Sequence, residues 1–231
     1  MRVLVRLILN DQPGALSVAT AAIAAAGGNV LGVDIVDRVG TSVVDDFVVE
    51  IAGAEPRELR DELAATSGLI VECVRATPQV ELHRELDLIS SLVTDPKPSL
   101  ALLARLVPAI MRCDWAVVIS SSGSAATITH SSMHGPRIRW TSLPWLPLLH
   151  AGTLDAGEEW VPSSRHGDLV ALAAAPIDER TCILVCRTEG PAFRPREVDQ
   201  LAQLGRLAGG IVRADAGQHL EETSERVAGV T

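Results

Sequence analysis

The sequence predicts an α+β protein of two domains, each built on an antiparallel sheet. Three observations lead there. The chain has 231 residues, a length that suits two domains of ordinary size better than one large core. Strand-like and helix-like segments before Pro78 follow the order βαββαβ, and a different pattern begins after it. With 47% hydrophobic and 21% charged residues, the composition is that of a packed globular chain.

In the first segment Val3, Val5, Leu7 and Leu9 alternate with Arg2, Leu4, Arg6 and Ile8, a period of two that predicts a strand with one wholly apolar face. Pro13 stands where a first helical residue would, and Leu16, Ala19, Thr20, Ile23 and Ala26 follow at helical spacing until Gly27 and Gly28 stop the run. Residues 30–38 are rich in β-branched side chains, Gly40 marks a turn, and residues 42–51 are again strand-like, so the pair predicts a hairpin. Pro56 opens a second helix with Leu59 and Leu63 on one side, Gly68 ends it, and residues 69–74 form a last strand. The resulting βαββαβ order is the ferredoxin-like arrangement, in which two helices cover one face of a four-stranded antiparallel sheet.

Pro78 interrupts the last strand, which places a first domain at residues 1–77 and a second at 79–215. The second opens with a helix carrying Leu82, Leu86, Ile89 and Val93 on one side, and Ser99 caps another helix through Leu103, Leu106 and Ile110, kinked at Pro108. Residues 115–120 and 125–131 are strands joined by a serine- and glycine-rich turn. Residues 135–167 hold Pro136, Pro144, Pro147 and Pro162, so loops and short helices are expected there, the natural place for a ligand lid. Two more strands, 169–175 and 182–187, precede a final helix that opens at Pro195 and carries Val198, Leu201, Gly205, Ala208 and Val212. The polar tail, 216–231, is expected to fray.

Charge narrows the choice of partners. The formal net charge is −9, and neither half is basic: residues 1–78 carry 6 basic and 11 acidic side chains, residues 79–231 carry 14 and 18. Without clustered Lys and Arg there is no face for nucleic acid or for anionic lipid. Cys73, Cys113, Cys182 and Cys186 are too few and too scattered for a disulfide framework, which points to a reducing cytoplasm. The N-terminal apolar stretch ends at Asn10, too early for a signal peptide, and no apolar run reaches the ~18 residues of a membrane helix.

Catalytic patterns are absent. The sequence has no nucleophile elbow, P-loop or dinucleotide fingerprint. His130 and His134 would share a metal only on a helix, and they flank a strand end and a turn instead. Cys182 and Cys186 alternate with Leu184 on one strand and read as core packing. Lys97, the sole lysine, lies between prolines and is a poor Schiff-base candidate. Trp140, Trp145 and Trp160 either line a pocket or anchor the loops onto the sheet. No enzyme activity, cofactor or metal is expected.

The run Asn10-Asp11-Gln12-Pro13-Gly14-Ala15-Leu16, between a strand and a helix that ends in Gly27-Gly28-Asn29-Val30, closely resembles the signature of ACT domains over about the first third of the chain. The resemblance implies an amino acid bound at a dimer interface, held by the loop between the first strand and first helix and by the start of the second strand. It points to Asp11 and Asn29 as side-chain contacts and to Gly14, Ala15 and Leu16 as backbone contacts. The chemistry is consistent: N–H groups at a helix start suit an α-carboxylate, and a nearby Asp balances the α-ammonium. The plainer alternative is that Asp11 only caps the helix and Gly14 only turns the chain.

From about residue 80 to 214 the chain resembles a GAF domain, on Asp114-Trp115-Ala116-Val117-Val118, on the strand 169–175 ending at Pro176, and on Arg187 with the run from Gly190 to Glu197. The fold implied there is an α/β sandwich around a central antiparallel sheet. Together the two resemblances imply a non-enzymatic regulatory sensor: a homodimer that binds a small amino acid and acts on a downstream protein partner. The alternative is a homo-oligomerisation scaffold with no small-molecule ligand.

Overall fold

The computed structural model describes the chain except residues 54, 77–87, 89, 92–93, 95–98, 123–124, 137–142, 156–169, 189 and 229–231, and describes the backbone alone at 215–228. It is α+β, with two antiparallel sheets and, among the described residues, four helices. The chain divides into two compact units, Met1–Leu82 with Thr188–Glu197, and His83–Arg187 with Val198–Thr231.

The first unit contains β1 (Arg2–Asn10), α1 (Ala15–Ala25), β2 (Gly28–Val39), β3 (Ser42–Ile51), α2 (Pro56–Ala64) and β4 (Leu69–Ala76), the βαββαβ order expected. The strands lie in the order β2-β3-β1-β4, all neighbours antiparallel, so β1 is central and β2 and β4 are edges. Val3, Val5, Leu7 and Leu9 pack with Val43, Phe47, Val49 and Ile51 of β3 under Ala19 and Ile23 of α1 and Leu59 and Leu63 of α2. Pro56 opens α2, and the Glu58 carboxylate reaches back to accept the Glu55 N–H at 3.2 Å, satisfying a donor that the helix start leaves open.

On the opposite sheet face Leu4, Arg6, Val44, Asp46 and Val48 are buried as well, so this face is not an open surface. Arg6 lies in a three-way ion pair: its Nε and Nη2 donate to the two Asp46 oxygens at 2.6 and 2.9 Å, and its Nη1 and Nη2 donate to Glu197 at 3.1 and 3.0 Å. Burial by itself disfavours the cation, but Asp46 and Glu197 more than offset it and hold the guanidinium above its ordinary pKa. Glu197 also accepts the Arg194 N–H at 2.9 Å, and the Arg194 guanidinium pairs with Glu72 of β4. Residues 188–197, assigned by sequence to the second domain, are therefore tied by side chains to the first sheet.

The second unit holds α3 (Ser99–Ile110), β5 (Trp115–Ser122), β6 (Ala125–Ser131), β7 (Gly152–Leu154), β8 (Val170–Pro176), β9 (Thr181–Thr188) and α4 (Pro195–Ala228). The strand order is β6-β5-β9-β8-β7; the first residues of α4 and the last of β9 group with the other unit. On one sheet face Trp115, Val117, Ile119, Leu172, Ala174, Cys182, Leu184 and Cys186 form a core on which Leu143, Trp145, Leu146 and Leu148 pack. Trp145 is thus an anchor for its loop, and Trp140 and Trp160 lie outside the described residues. Burial, reinforced by Asp178, pushes the Cys182 thiol up to about 12, which leaves it protonated and unreactive at neutral pH.

Buried Arg187 donates to the carbonyls of Met111 and Arg112 at 2.8 and 3.2 Å, satisfying acceptors just beyond the end of α3. Leu82, Leu86, Ile89 and Val93 lie outside the described residues; nearby, Thr94 donates to the Ser90 carbonyl at 2.8 Å, one helical turn back. Helix α4 continues to Ala228, through most of the tail expected to fray. Among the described residues no helix is long and apolar enough to cross a membrane.

Candidate functional site

The loop between β1 and α1 is built by local hydrogen bonds. Asp11 N–H donates to the Thr41 carbonyl at 2.8 Å, tying the loop to the β2–β3 turn, and Gln12 N–H donates to the Asn10 carbonyl at 2.9 Å. Gly14 precedes the helix with φ 91°, a left-handed conformation that strains any residue with a Cβ. Ala15 N–H donates to Gln12, and the Ser17 and Val18 amides converge on the Gly14 carbonyl at 3.0 and 3.2 Å.

That pattern leaves the Gly14 and Leu16 amides without an acceptor among the described residues. The first turn of α1 carries no acidic side chain to neutralise them, and the space beside the Gly14 Cα is open to at least 4 Å. Two unused N–H groups at the positive end of a helix are suited to a carboxylate. Ala15, by contrast, has its amide engaged within the loop.

Asp11 sits at this end of the sheet, but its carboxylate pairs with Arg38 Nη1 at 3.2 Å, with both side chains exposed. Asn29 does not join it. Asn29 is in register with Glu50, and Glu50 with Arg2 at the start of β1, whereas Asp11 follows Asn10, which pairs with Ser42. Along β2 the nine residue steps from Asn29 to Arg38 cover roughly 30 Å, so within one chain Asp11 and Asn29 lie at opposite ends of the sheet.

Sequence reasoning missed Asp45. Consecutive strand residues point to opposite faces, so Asp46 faces Arg6 while Asp45 falls on the helix-facing side between Val43 and Phe47, level with Leu7 and Ile35. Asp45 is 1% exposed, and its Oδ1 has no hydrogen-bond partner among the described residues. Burial raises its pKa from the ordinary 3.8; Asp46 and Asp11 add to the rise and Arg38 opposes it. The signal was present in the alternation, since Asp45 occupies an inward position of β3.

His130 lies on β6 with Nδ1 3.1 Å from the Thr129 hydroxyl oxygen, and exposed His134 is in the turn beyond it. Among the described residues no cluster of three or more His, Cys, Asp or Glu is placed to hold a metal ion. The four cysteines are buried, and none forms a disulfide. Neither a protein-family model nor a curated protein matches this chain.

Proposed function

We propose that the chain is a non-enzymatic regulatory protein whose first unit is an ACT-type, ferredoxin-like module that binds a small amino acid at a homodimer interface. Its second unit is then a GAF-like module through which a cytoplasmic protein partner is addressed. The observation that carries the proposal is the pair of unused amides, Gly14 and Leu16, at the start of α1; on the same side of the sheet, three register positions from its end at Ser42, the buried Asp45 Oδ1 has no hydrogen-bond partner among the described residues. The two features match the opposite charges of a zwitterion.

Edge strand β2 supports the dimer. It is twelve residues long, has no strand partner but β3 among the described residues, and exposes Val33, Ile35 and Val39, while neighbouring α1 exposes Leu16 and Val18. A long, apolar, unprotected edge invites pairing with a second strand. Antiparallel pairing of two copies of β2 about a two-fold axis near residues 33 and 34 sets Asn29 of one subunit opposite Arg38 of the other. That places it beside the loop containing Asp11, so Asp11 and Asn29 would meet between subunits. The Leu4 and Ile8 face contributes nothing to such a dimer, because Leu4 and its neighbours are buried within a single chain.

One observation favours the scaffold instead: the Asp11–Arg38 ion pair already neutralises the carboxylate assigned to the ligand. Thermal unfolding in the presence of each of the twenty amino acids separates the two, since a ligand that binds only the native state must raise its stability. At a concentration one hundred times its Kd the expected gain is about 2.7 kcal/mol. A dimer unaffected by all twenty amino acids would be a scaffold.

A further inference from the structure

Asp45 is an ionisable side chain on a sheet face otherwise built from Val43, Phe47, Val49 and Ile51. Isolating a carboxylate from water without a partner is costly, and evolutionary replacement by an apolar residue would remove the cost. Neighbouring charges do not account for it. Arg6 is engaged with Asp46 and Glu197 on the other face, and Arg38 is drawn to Asp11. Helix α1, packed above, has no ionisable residue. Asp46 pairs with Arg6 and Asp11 with Arg38, whereas the Asp45 Oδ1 has no hydrogen-bond partner among the described residues.

Asp45 also lies near the proposed ligand position. It is three register positions from Ser42, where β3 meets the end of β1, on the helix-facing side. Its electrostatic surroundings include Asp11 of the β1–α1 loop and Arg38. The unused Gly14 and Leu16 amides belong to the same loop and helix start.

We propose that Asp45, rather than Asp11, is the counter-ion for the ammonium group of the ligand, so that the site selects compounds bearing a primary amine. This rests on the amino-acid proposal for the position of the ligand, but it can fail separately. The ligand's carboxylate accepts from the Gly14 and Leu16 amides, and its ammonium donates to the Asp45 carboxylate. Asp11, at the rim with Arg38, keeps a polar contact with the ligand without being its counter-ion.

The test uses the full chain and three sets of probes: glycine, alanine and serine; methylamine and ethylamine; and acetate and propionate. Calorimetry is run on wild type and on Asp45→Asn, a neutral variant of the same shape. Amine-bearing probes that bind wild type are expected to lose about ten-fold or more in affinity for Asp45→Asn. In wild type, the Asp45 carboxyl carbon resonance is expected to shift when such a probe is added, a readout that does not depend on the variant folding. Methylamine binding without amino-acid binding would leave Asp45 as an amine site and remove the amino-acid proposal. Amino acids that bind both proteins equally, with an unmoved Asp45 resonance, would overturn the role of Asp45 and leave the amino-acid proposal standing. Failure of every amine-bearing probe to bind wild type would overturn both.

Discussion

Arg6→Met is expected to destabilise the first unit by about 3–5 kcal/mol, because it strands buried carboxylates that the guanidinium now neutralises. Arg6 is fully buried, and four hydrogen bonds from its guanidinium are divided between Asp46 and Glu197 in two bidentate contacts. The penalty comes from breaking the group, not from any large net strength of an ion pair, since desolvation consumes most of the Coulombic attraction. Replacing the set together as Arg6→Met, Asp46→Leu and Glu197→Gln should therefore recover most of the loss, with Gln retained at 197 to accept the Arg194 N–H. Hydrogen exchange of the β1 and β3 amides reports the stability of this unit directly. A single Arg6→Met variant as well protected as wild type would show that the ion pair is peripheral.

Gly209 in α4 is the second sensitive position. A Cβ at Gly205 would stand 2.6 Å from the Pro176 carbonyl oxygen, and one at Gly209 would overlap the Ile177 carbonyl oxygen. Both obstacles are backbone, which cannot rotate away. Gly210, one residue on, has no atom within 4 Å of a Cβ. Alanine in a helix is otherwise preferred to glycine by roughly 0.5–1 kcal/mol, so neighbouring substitutions should have opposite signs. Gly210→Ala is expected to stabilise by about that amount, and Gly209→Ala to destabilise by about 1–3 kcal/mol through overpacking. Urea unfolding followed by tryptophan emission suits this unit, because Trp115, Trp140, Trp145 and Trp160 all belong to it. Equal effects at 209 and 210 would contradict close helix–strand packing.

What was legible in the sequence was local. Alternation of Val3, Val5, Leu7 and Leu9, the helical spacing through Ile23, and the punctuation by Pro56 and Gly68 each depend on neighbours within a few residues, and the six elements of the first unit appear where those signals lie. What was not legible was long-range. Arg6 and Glu197 are separated by 191 residues, and no periodicity links them, so local signals could not show that Arg6 is buried in an ion pair. Strand β7 has three residues, too few to establish a period. Asp45 and Asp46 lie in the stretch read as a strand, and strand geometry sends them to opposite, buried faces.

Geometry at the candidate site separates cleanly into parts within a chain and parts between chains. The β1–α1 loop, the start of α1 and Asp45 come from one end of one sheet, while Asn29 reaches them only if a second β2 pairs alongside. A site shared in this way obeys a complementation rule. In an Asp11→Ala dimer every site lacks Asp11, and in an Asn29→Ala dimer every site lacks Asn29, so each homodimer should bind amino acid more weakly by about 1–3 kcal/mol. A mixed dimer of the two variants places both alanines in one site and leaves the other intact. Calorimetry of the purified mixed dimer, with whichever amino acid stabilises wild type, is predicted to recover one site of wild-type affinity per dimer; a mixed dimer that binds no better than either homodimer would contradict a ligand held between subunits.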